Sequence, residues 1–408
     1  MTIIPNIRHL RAFREVAEQK GISAAAKRVH LSQPAVTQAI AGLESKLELA
    51  LFDRKTEGMF VTEPGQKFLA RVQGFFSHLE EGASLSARAG SRNGAKQAAN
   101  FCNNVTASQL RAFIAIKETL NFSLAARKLE ISQPSVHRAA RDLEKISGMP
   151  LFRASRKGVE LTPQAEIFAR SVKLAFSELR QGFYEIAHFK GHDSTIISVG
   201  SMPLSRTSIL PDAIHGLLKH KREVQVRTVD GPYNELLKAL RYGDLDVLIG
   251  ALRDPAPTDD VVQEVLLNDP LALIVGPAHP LAGKDGLTLV DALKFPWIAP
   301  PKSAPAGAYL YSALGIEKLD QTPVCIVSSS LVMIRGLLAR GNYITIMSLH
   351  QMELEQAQGV MVPLKLALPN SARPIGLTYR KGWKPTATQE RFLDLVRESA
   401  ASYHHRYT

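Results

Sequence analysis

The chain has 408 residues, room for two to four domains that each bury a core, and its 45% apolar content excludes a wholly disordered protein. No apolar stretch approaches bilayer length and Met1 to Leu10 lacks a signal-peptide core, so a cytoplasmic protein without membrane contact is expected. Residues 1–190 hold 28 Lys and Arg against 17 Asp and Glu, so +11 of the net +12 lies in the first half, which favours a polyphosphate partner.

Residues 6–19 carry Leu10, Phe13, Val16 and Ala17 on one face, which predicts an amphipathic supporting helix. Ser23 to Val29 reads as a short second helix with Ser23 as its N-cap and Ala25, Ala26 and Val29 on one side. A third opens at Ser32, tolerates Pro34 in its first turn, and puts Val36, Ala39 or Ile40, and Leu43 on one face. Gln33, Thr37, Gln38 and Ala41 are left on the other side, with the Ser32 hydroxyl placed to cap the free amides. Small residues on the second helix let the third cross it closely, and short polar groups on the outer face can reach base edges. This is helix-turn-helix logic, with an αα-hairpin inside a helical bundle as the alternative.

The same pattern returns one hundred residues later. Leu10-Arg11-Ala12-Phe13 recurs at 110–113, Ala25-Ala26 at 125–126, Ser32-Gln33-Pro34 at 132–134, Leu43-Glu44 at 143–144 and Leu51-Phe52 at 151–152, without a gap. About a third of the positions match, which marks a duplicated folding unit. Within it, Leu31-Ser32-Gln33-Pro34-Ala35-Val36, Leu51-Phe52-Asp53-Arg54 and Thr62-Glu63-Pro64-Gly65 closely resemble the winged helix-turn-helix of LysR-type transcriptional regulators. The usual family member has one such domain; this chain reads as two.

After the first copy's third helix, Gly58 between short β-prone runs predicts a wing hairpin in which Arg54 and Lys55 face phosphates, or Arg54 an internal ion pair. Gln66 to Glu80 reads as a helix with a Phe68, Val72, Phe75 or Phe76, Leu79 stripe, and the resemblance implies that it is the linker helix that mediates dimerisation in this family. Residues 81–105, rich in Gly, Ala, Ser and Asn, read as a flexible linker. The second copy presents Ser123, Ser132, Gln133, His137, Arg138 and Arg141, with Arg153, Arg156 and Lys157 as wing charge in place of the family arginine that Ala154 replaces. Together with Ser23, Ser32, Gln33, Thr37, Gln38, Arg54 and Lys55, these residues other than Arg153 and Lys157 form the expected DNA-contact set. Departures from the family pattern, Glu48 and Ala50 in the first copy and Ala154 and Ala165 in the second, leave open whether both copies bind DNA or one serves dimerisation. A second linker helix carries Phe168, Val172, Phe176, Leu179, Phe183 and Ile186 in a nearly heptad stripe, the expected main dimer helix.

From Ile196 the period changes. β-rich runs at 196–200, 224–229, 245–250, 271–275, 297–299, 325–328 and 343–347 alternate with helical segments at 210–218 and 233–242, which predicts α/β layers with largely parallel sheets. Leu210-Pro211, Gly243-Asp244-Leu245-Asp246 and His279-Pro280-Leu281 are similar to the LysR effector domain, which has the two-lobed periplasmic-binding-protein fold. The expected fold class is therefore multi-domain: two mainly α winged helix-turn-helix domains (6–65 and 106–165), linker helices (66–80 and 166–190), and an α/β two-lobed effector domain (195–408). Lobe 1 would take about 195–268 and 373–408, and lobe 2 about 269–372, with a last helix from Thr388 to Tyr403.

Ligands of open α/β sheets sit beyond the carboxyl ends of the strands, where this chain offers Ser201, Met202, Ser205, Arg206, Gly231, Tyr233, Ser303, Gly307 and Ser328. Arg206 is the sharpest of these, since a guanidinium in a cleft selects carboxylate or phosphate; the serines could equally be helix caps. Stretches 200–206, 230–233 and 250–253 resemble a LysR subgroup that includes the galactose-binding-protein regulator, which implies a sugar or carboxylate (aromatic-acid) effector. Expected partners are thus double-stranded DNA, a small-molecule effector, a second copy or more of the chain as homodimer or homotetramer, and RNA polymerase. Neither a metal nor a cofactor is expected: Cys102 and Cys325 lack ligand spacing, and no Gly-rich phosphate loop, His/Glu cluster or nucleophile elbow argues for an enzyme. A cytoplasmic solute-binding protein that does not bind DNA is the rival to the regulator.

Overall fold

The computed structural model describes residues 4–90, 101–156 and 158–407. The chain forms two compact units, one reaching to Thr195 and including Tyr242–Asp244, the other made of Ile196–Arg241 and Leu245 onward. Among the described residues no helix is long and apolar enough to cross a membrane.

The first unit contains the duplication as a physical object. Helices α1 (Ile7–Gln19), α2 (Ile22–Val29) and α3 (Gln33–Leu47) precede hairpin β1 (Phe52–Lys55) and β2 (Gly58–Val61); α5 (Ala107–Thr119), α6 (Phe122–Leu129), α7 (Gln133–Ser147), β3 (Phe152–Ser155) and β4 (Gly158–Leu161) repeat the set. Their local chemistry repeats too. Ser32 and Ser132 cap α3 and α7 by accepting from the amides of Ala35 and Ser135. Glu44 Oε1 accepts from the amides of Leu51 (2.8 Å) and Phe52 (3.2 Å), and Glu144 Oε1 does the same for Leu151 and Phe152, tying each hairpin to its third helix. Gly58 (φ +139°) and Gly158 (φ +129°) press against the carbonyls of Lys20 and Leu120, where a Cβ would lie 2.6 and 2.7 Å from oxygen. The cap of α2 differs from expectation: it is Gly21, with Ser23 already inside the first turn.

Each module is closed by a long helix, α4 (Glu63–Gly90) and α8 (Pro163–Phe189). Phe68 of α4 packs on Phe13, and Phe168 of α8 on Phe113, with centroids 5.8 and 5.3 Å apart. The expected flexible linker is overturned over its first ten residues. The helix runs on to Gly90, and residues 101–104 are helical again; residues 91–100 lie outside the described set. Gly82, Ala83, Ser86 and Ala87 look like linker composition, but all four are buried, and Gly82 lies against Phe168 and Ser171 of α8. Arg11 of α1 donates to the carbonyls of Cys102 and Asn103, fastening the returning chain.

The second unit holds two five-stranded sheets. The first has the order β6 (Gln225–Val229), β5 (Ile196–Ser201), β7 (Val247–Ala251), β14 (Arg373–Arg380), β8 (Val261–Asp269). The second has β11 (Val324–Val327), β10 (Trp297–Ala299), β12 (Ile344–Ser348), β9 (Leu271–Val275), β13 (Val362–Pro363). The expected strands all form, but the sheets are mixed rather than largely parallel. β5 pairs in parallel with β6 and β7, and β10 with β11 and β12, whereas β14 and β9 run antiparallel to their neighbours. β14 is the strand by which the chain returns to the first sheet, and α10 (Ala387–Tyr407) packs on α9 (Ile209–His220).

Candidate nucleic-acid interface and effector pocket

Helix α3 is half apolar and half polar by spacing, and the packing uses that division. Val36, Ala39, Ile40, Leu43 and Leu47 are buried. Gln33, Gln38 and Ala41 are exposed, Thr37 half-buried, and with Ser23 and Ile22 of α2 they line a shallow open concavity. Thr37 donates its hydroxyl to the Gln33 carbonyl (3.0 Å), which fixes its rotamer. Ser32 spends its hydroxyl on the cap, so its role there is structural. Arg54 and Lys55 end the exposed strand β1, with the Lys55 ammonium 5.5 Å from the centre of the Phe60 ring.

The second copy presents the same surface with different chemistry. Gln133 and Arg138 are exposed on α7, and Ser123 donates to Gln133 Oε1 at 2.9 Å, orienting that amide. His137 is half-buried and stacks on Phe122 with centroids 3.8 Å apart. Arg141 is exposed and pairs with Glu144 at 2.9 Å, one turn along the same helix. Ser132 is again the cap, bonded also to the Ser135 hydroxyl. Arg156 is exposed at the hairpin turn; Lys157 lies outside the described residues.

In the second unit a pocket with about 600 Å³ of empty space, its open mouth included, lies at the carboxyl ends of the parallel strands. Of the nine effector residues expected, Met202 and Ser328 line it; Ser201, Ser205, Arg206, Gly231, Tyr233, Ser303 and Gly307 do not. Each of several has another job. Arg206 donates to the Ser201 hydroxyl (3.2 Å) and carbonyl (2.7 Å) and pairs with Asp230 at 3.2 Å, so the sharpest candidate is neutralised locally. Ser205 donates to the Met202 carbonyl, and a Cβ on Gly307 would fall 2.0 Å from the Pro301 carbonyl oxygen, which makes that glycine a packing requirement. Tyr233 sits under the Arg253 guanidinium, and burial raises its phenol pKa.

The pocket's cation is Arg373, at the start of β14, which sequence reading missed. It approaches Asp269 at 3.5 Å, and Asp269 is fully buried. Asp269 Oδ1 already serves the Ser348 hydroxyl (2.7 Å) and His350 Nδ1 (2.6 Å), and Arg373 Nε has no hydrogen-bond partner. Burial lowers the Arg373 pKa, with the charge and hydrogen bond of Asp269 working against that, and the side chain forms part of the pocket wall. Met202, Ile334, Ile346 and Met347 supply an apolar lining. Only the strand that returns from far along the sequence could bring Arg373 here, and no local motif announces it.

Comparison with known proteins adds the following. The family description "LysR substrate binding domain" matches residues 190–401, and "Bacterial regulatory helix-turn-helix protein, lysR family" matches twice, at 7–66 and 107–166. The HTH-type transcriptional regulator GalR of Pseudomonas putida is 33% identical over 379 residues, 93% of this chain and 93% of that one. The regulator PcaQ of Agrobacterium fabrum is 27% identical over 292 residues, which cover 94% of its length but 71% of this chain. Full-length OxyR from Pseudomonas aeruginosa, in a variant form, aligns with a TM-score of 0.52 at 20% identity, covering 73% of this chain and 95% of that one, a likeness of fold.

Proposed function

Because the chain belongs to the LysR family of DNA-binding transcriptional regulators, with an effector domain at its C-terminal end, we propose that both repeated modules are winged helix-turn-helix heads and that both read duplex DNA. LysR regulators bind DNA and small-molecule effectors and form oligomers, and the relatives are regulators, not enzymes. The observation that carries the finer reading is the pair of exposed polar faces on α3 and α7, each held at its N-terminus by a serine cap.

A helix docked by its first turns in the major groove puts such side chains on base edges. Gln33 and Gln38 have the donor–acceptor pair that matches adenine, while Arg138 has the fork that matches guanine O6 and N7. Arg54 and Lys55 in one hairpin and Arg156 in the other meet phosphate, which adds affinity without much sequence information. Ser23, Thr37, Ser123, Gln133, His137 and Arg141 complete the two contact surfaces, Ser32 and Ser132 acting through the caps. The reading is tested by selecting binding duplexes from a random pool. Gln33→Ala should erase sequence preference in one half of the selected site and Arg138→Ala in the other, while equal loss at all positions would reject base reading.

The C-terminal unit supports a periplasmic-binding-protein-like sensor, with two sheets built from β5–β8 plus β14 and from β9–β13 and a pocket at the strand ends. An apolar wall with one guanidinium suits a small molecule with an apolar body and a carboxylate better than a sugar, whose many hydroxyls would need more partners. The effector residues of this reading are Met202, Ser328 and Arg373. The place of action is the cytoplasm, where operator DNA and RNA polymerase are met.

A further inference from the structure

Helices α4 and α8 of one chain pack against each other along their length, and the packing has a hidden symmetry. A Cβ on Gly82 would meet the ring of Phe168 at 3.4 Å and the side chain of Ser171. A Cβ on Gly182 would meet the ring of Phe68 at 3.1 Å and the side chain of Arg71. Adding one hundred to the first partner and subtracting it from the second turns one contact set into the other. The pairing is therefore antiparallel and isologous, a pseudo-twofold interface whose two halves come from the two copies of the duplicated unit. Since each long helix is locked to its own module through Phe13–Phe68 and Phe113–Phe168, the same pseudo-twofold relates the two modules.

One part of the interface breaks the symmetry. Arg71 of α4 is buried and donates from Nε to Glu185 (3.1 Å) and from Nη1 to Glu178 (3.2 Å) of α8. The positions equivalent to these three residues are Ser171, His78 and Leu85, which cannot repeat the triad. Two α8 helices from different chains would bury Glu178 and Glu185 without a guanidinium. Two α4 helices would bury Arg71 without a carboxylate. Unpaired buried charge penalises both like-with-like pairings, so the triad selects α4 with α8.

We propose that the DNA-reading unit of this protein is a single chain: the dimer-like pair of heads is made internally by α4 and α8, and its partner is an operator with two inverted half-sites of unlike sequence. This rests on the reading that both modules bind DNA. A twofold relation between heads fixes the inverted orientation of the half-sites, and the unlike faces, Gln33 and Gln38 against Gln133 and Arg138, make their sequences differ.

The experiment uses full chains in which one head is disabled by exposed-residue changes. One variant carries Gln33→Ala with Arg54→Ala, the other Gln133→Ala with Arg138→Ala. Both are expected to melt as the wild type does. On the operator, wild type protects two half-sites, and each variant binds about 100-fold more weakly, the loss of a tethered second contact. Co-expressed so that they assemble together, the two variants should bind no better than either alone, because no chain then carries two working heads. Restored tight binding and two-site protection by the co-expressed pair would show that heads pair between chains and would overturn the inference while leaving both heads as readers. Protection of a single half-site by wild type would instead remove the two-head reading, and the inference with it.

Discussion

The Arg71 cluster gives a prediction whose size follows from its burial. The Arg71 side chain is 6% exposed, Glu178 17% and Glu185 15%. Burial pulls the guanidinium pKa down, and the hydrogen bonds and charge of Glu185, then Glu178, reverse that and raise it. Arg71→Met keeps volume but leaves two carboxylates on the helix interface with no cation. Removing one partner of a buried pair costs about 3–5 kcal/mol, and the partly wet glutamates place this case near about 3. That cost raises the population of molecules with α4 and α8 separated by about 100-fold. Hydrogen exchange read by mass spectrometry on the intact chain checks it, since it reports the opening of 63–90 and 163–189 separately from the rest. Adding Glu178→Gln and Glu185→Gln to Arg71→Met should restore most of the protection, because the uncompensated charge has gone. Unchanged exchange in Arg71→Met, or a triple variant as labile as the single, would refute the claim that this triad holds the two helices in register.

Two further outcomes follow from the sites. Arg54→Ala should weaken binding to all duplexes alike and reduce the slope of log K against log salt by about 0.9, the share of one phosphate contact; an unchanged slope would place Arg54 off the backbone. Arg373→Gln should abolish the thermal stabilisation given by small aromatic and aliphatic carboxylates. In the wild type a bound carboxylate at 100 times its Kd contributes about 2.7 kcal/mol. An equal shift in wild type and variant would remove Arg373 from the effector site.

Much of the fold was legible because its signals are local. The hundred-residue repeat, the opening of the third helix at Ser32, the glycine at 58 in the first hairpin, and the strand runs all depend on near neighbours, and they formed where expected. What failed depended on distant partners. Gly82, Ala83, Ser86 and Ala87 read as linker because small residues carry no periodic apolar signal. Their burial depends on distant parts of the chain, Phe168 and Ser171 of α8 in the case of Gly82. Strand β8 escaped notice because Gln263 and Glu264, adjacent and so on opposite faces, interrupt its run of apolar residues. Arg206 stood out by its place after β5, yet Asp230 at the end of the neighbouring strand claims it. Arg373 was invisible because the pocket wall it supplies is assembled by β14, far along the chain from β5.

Hydroxyl-radical footprinting of wild type, Gln33→Ala and Arg138→Ala on one selected operator is the most direct check that both heads engage DNA. Two protected segments in wild type, with a different one weakened by each substitution, is the expected pattern. A single protected segment in wild type, or a pattern that ignores Arg138→Ala, would contradict it.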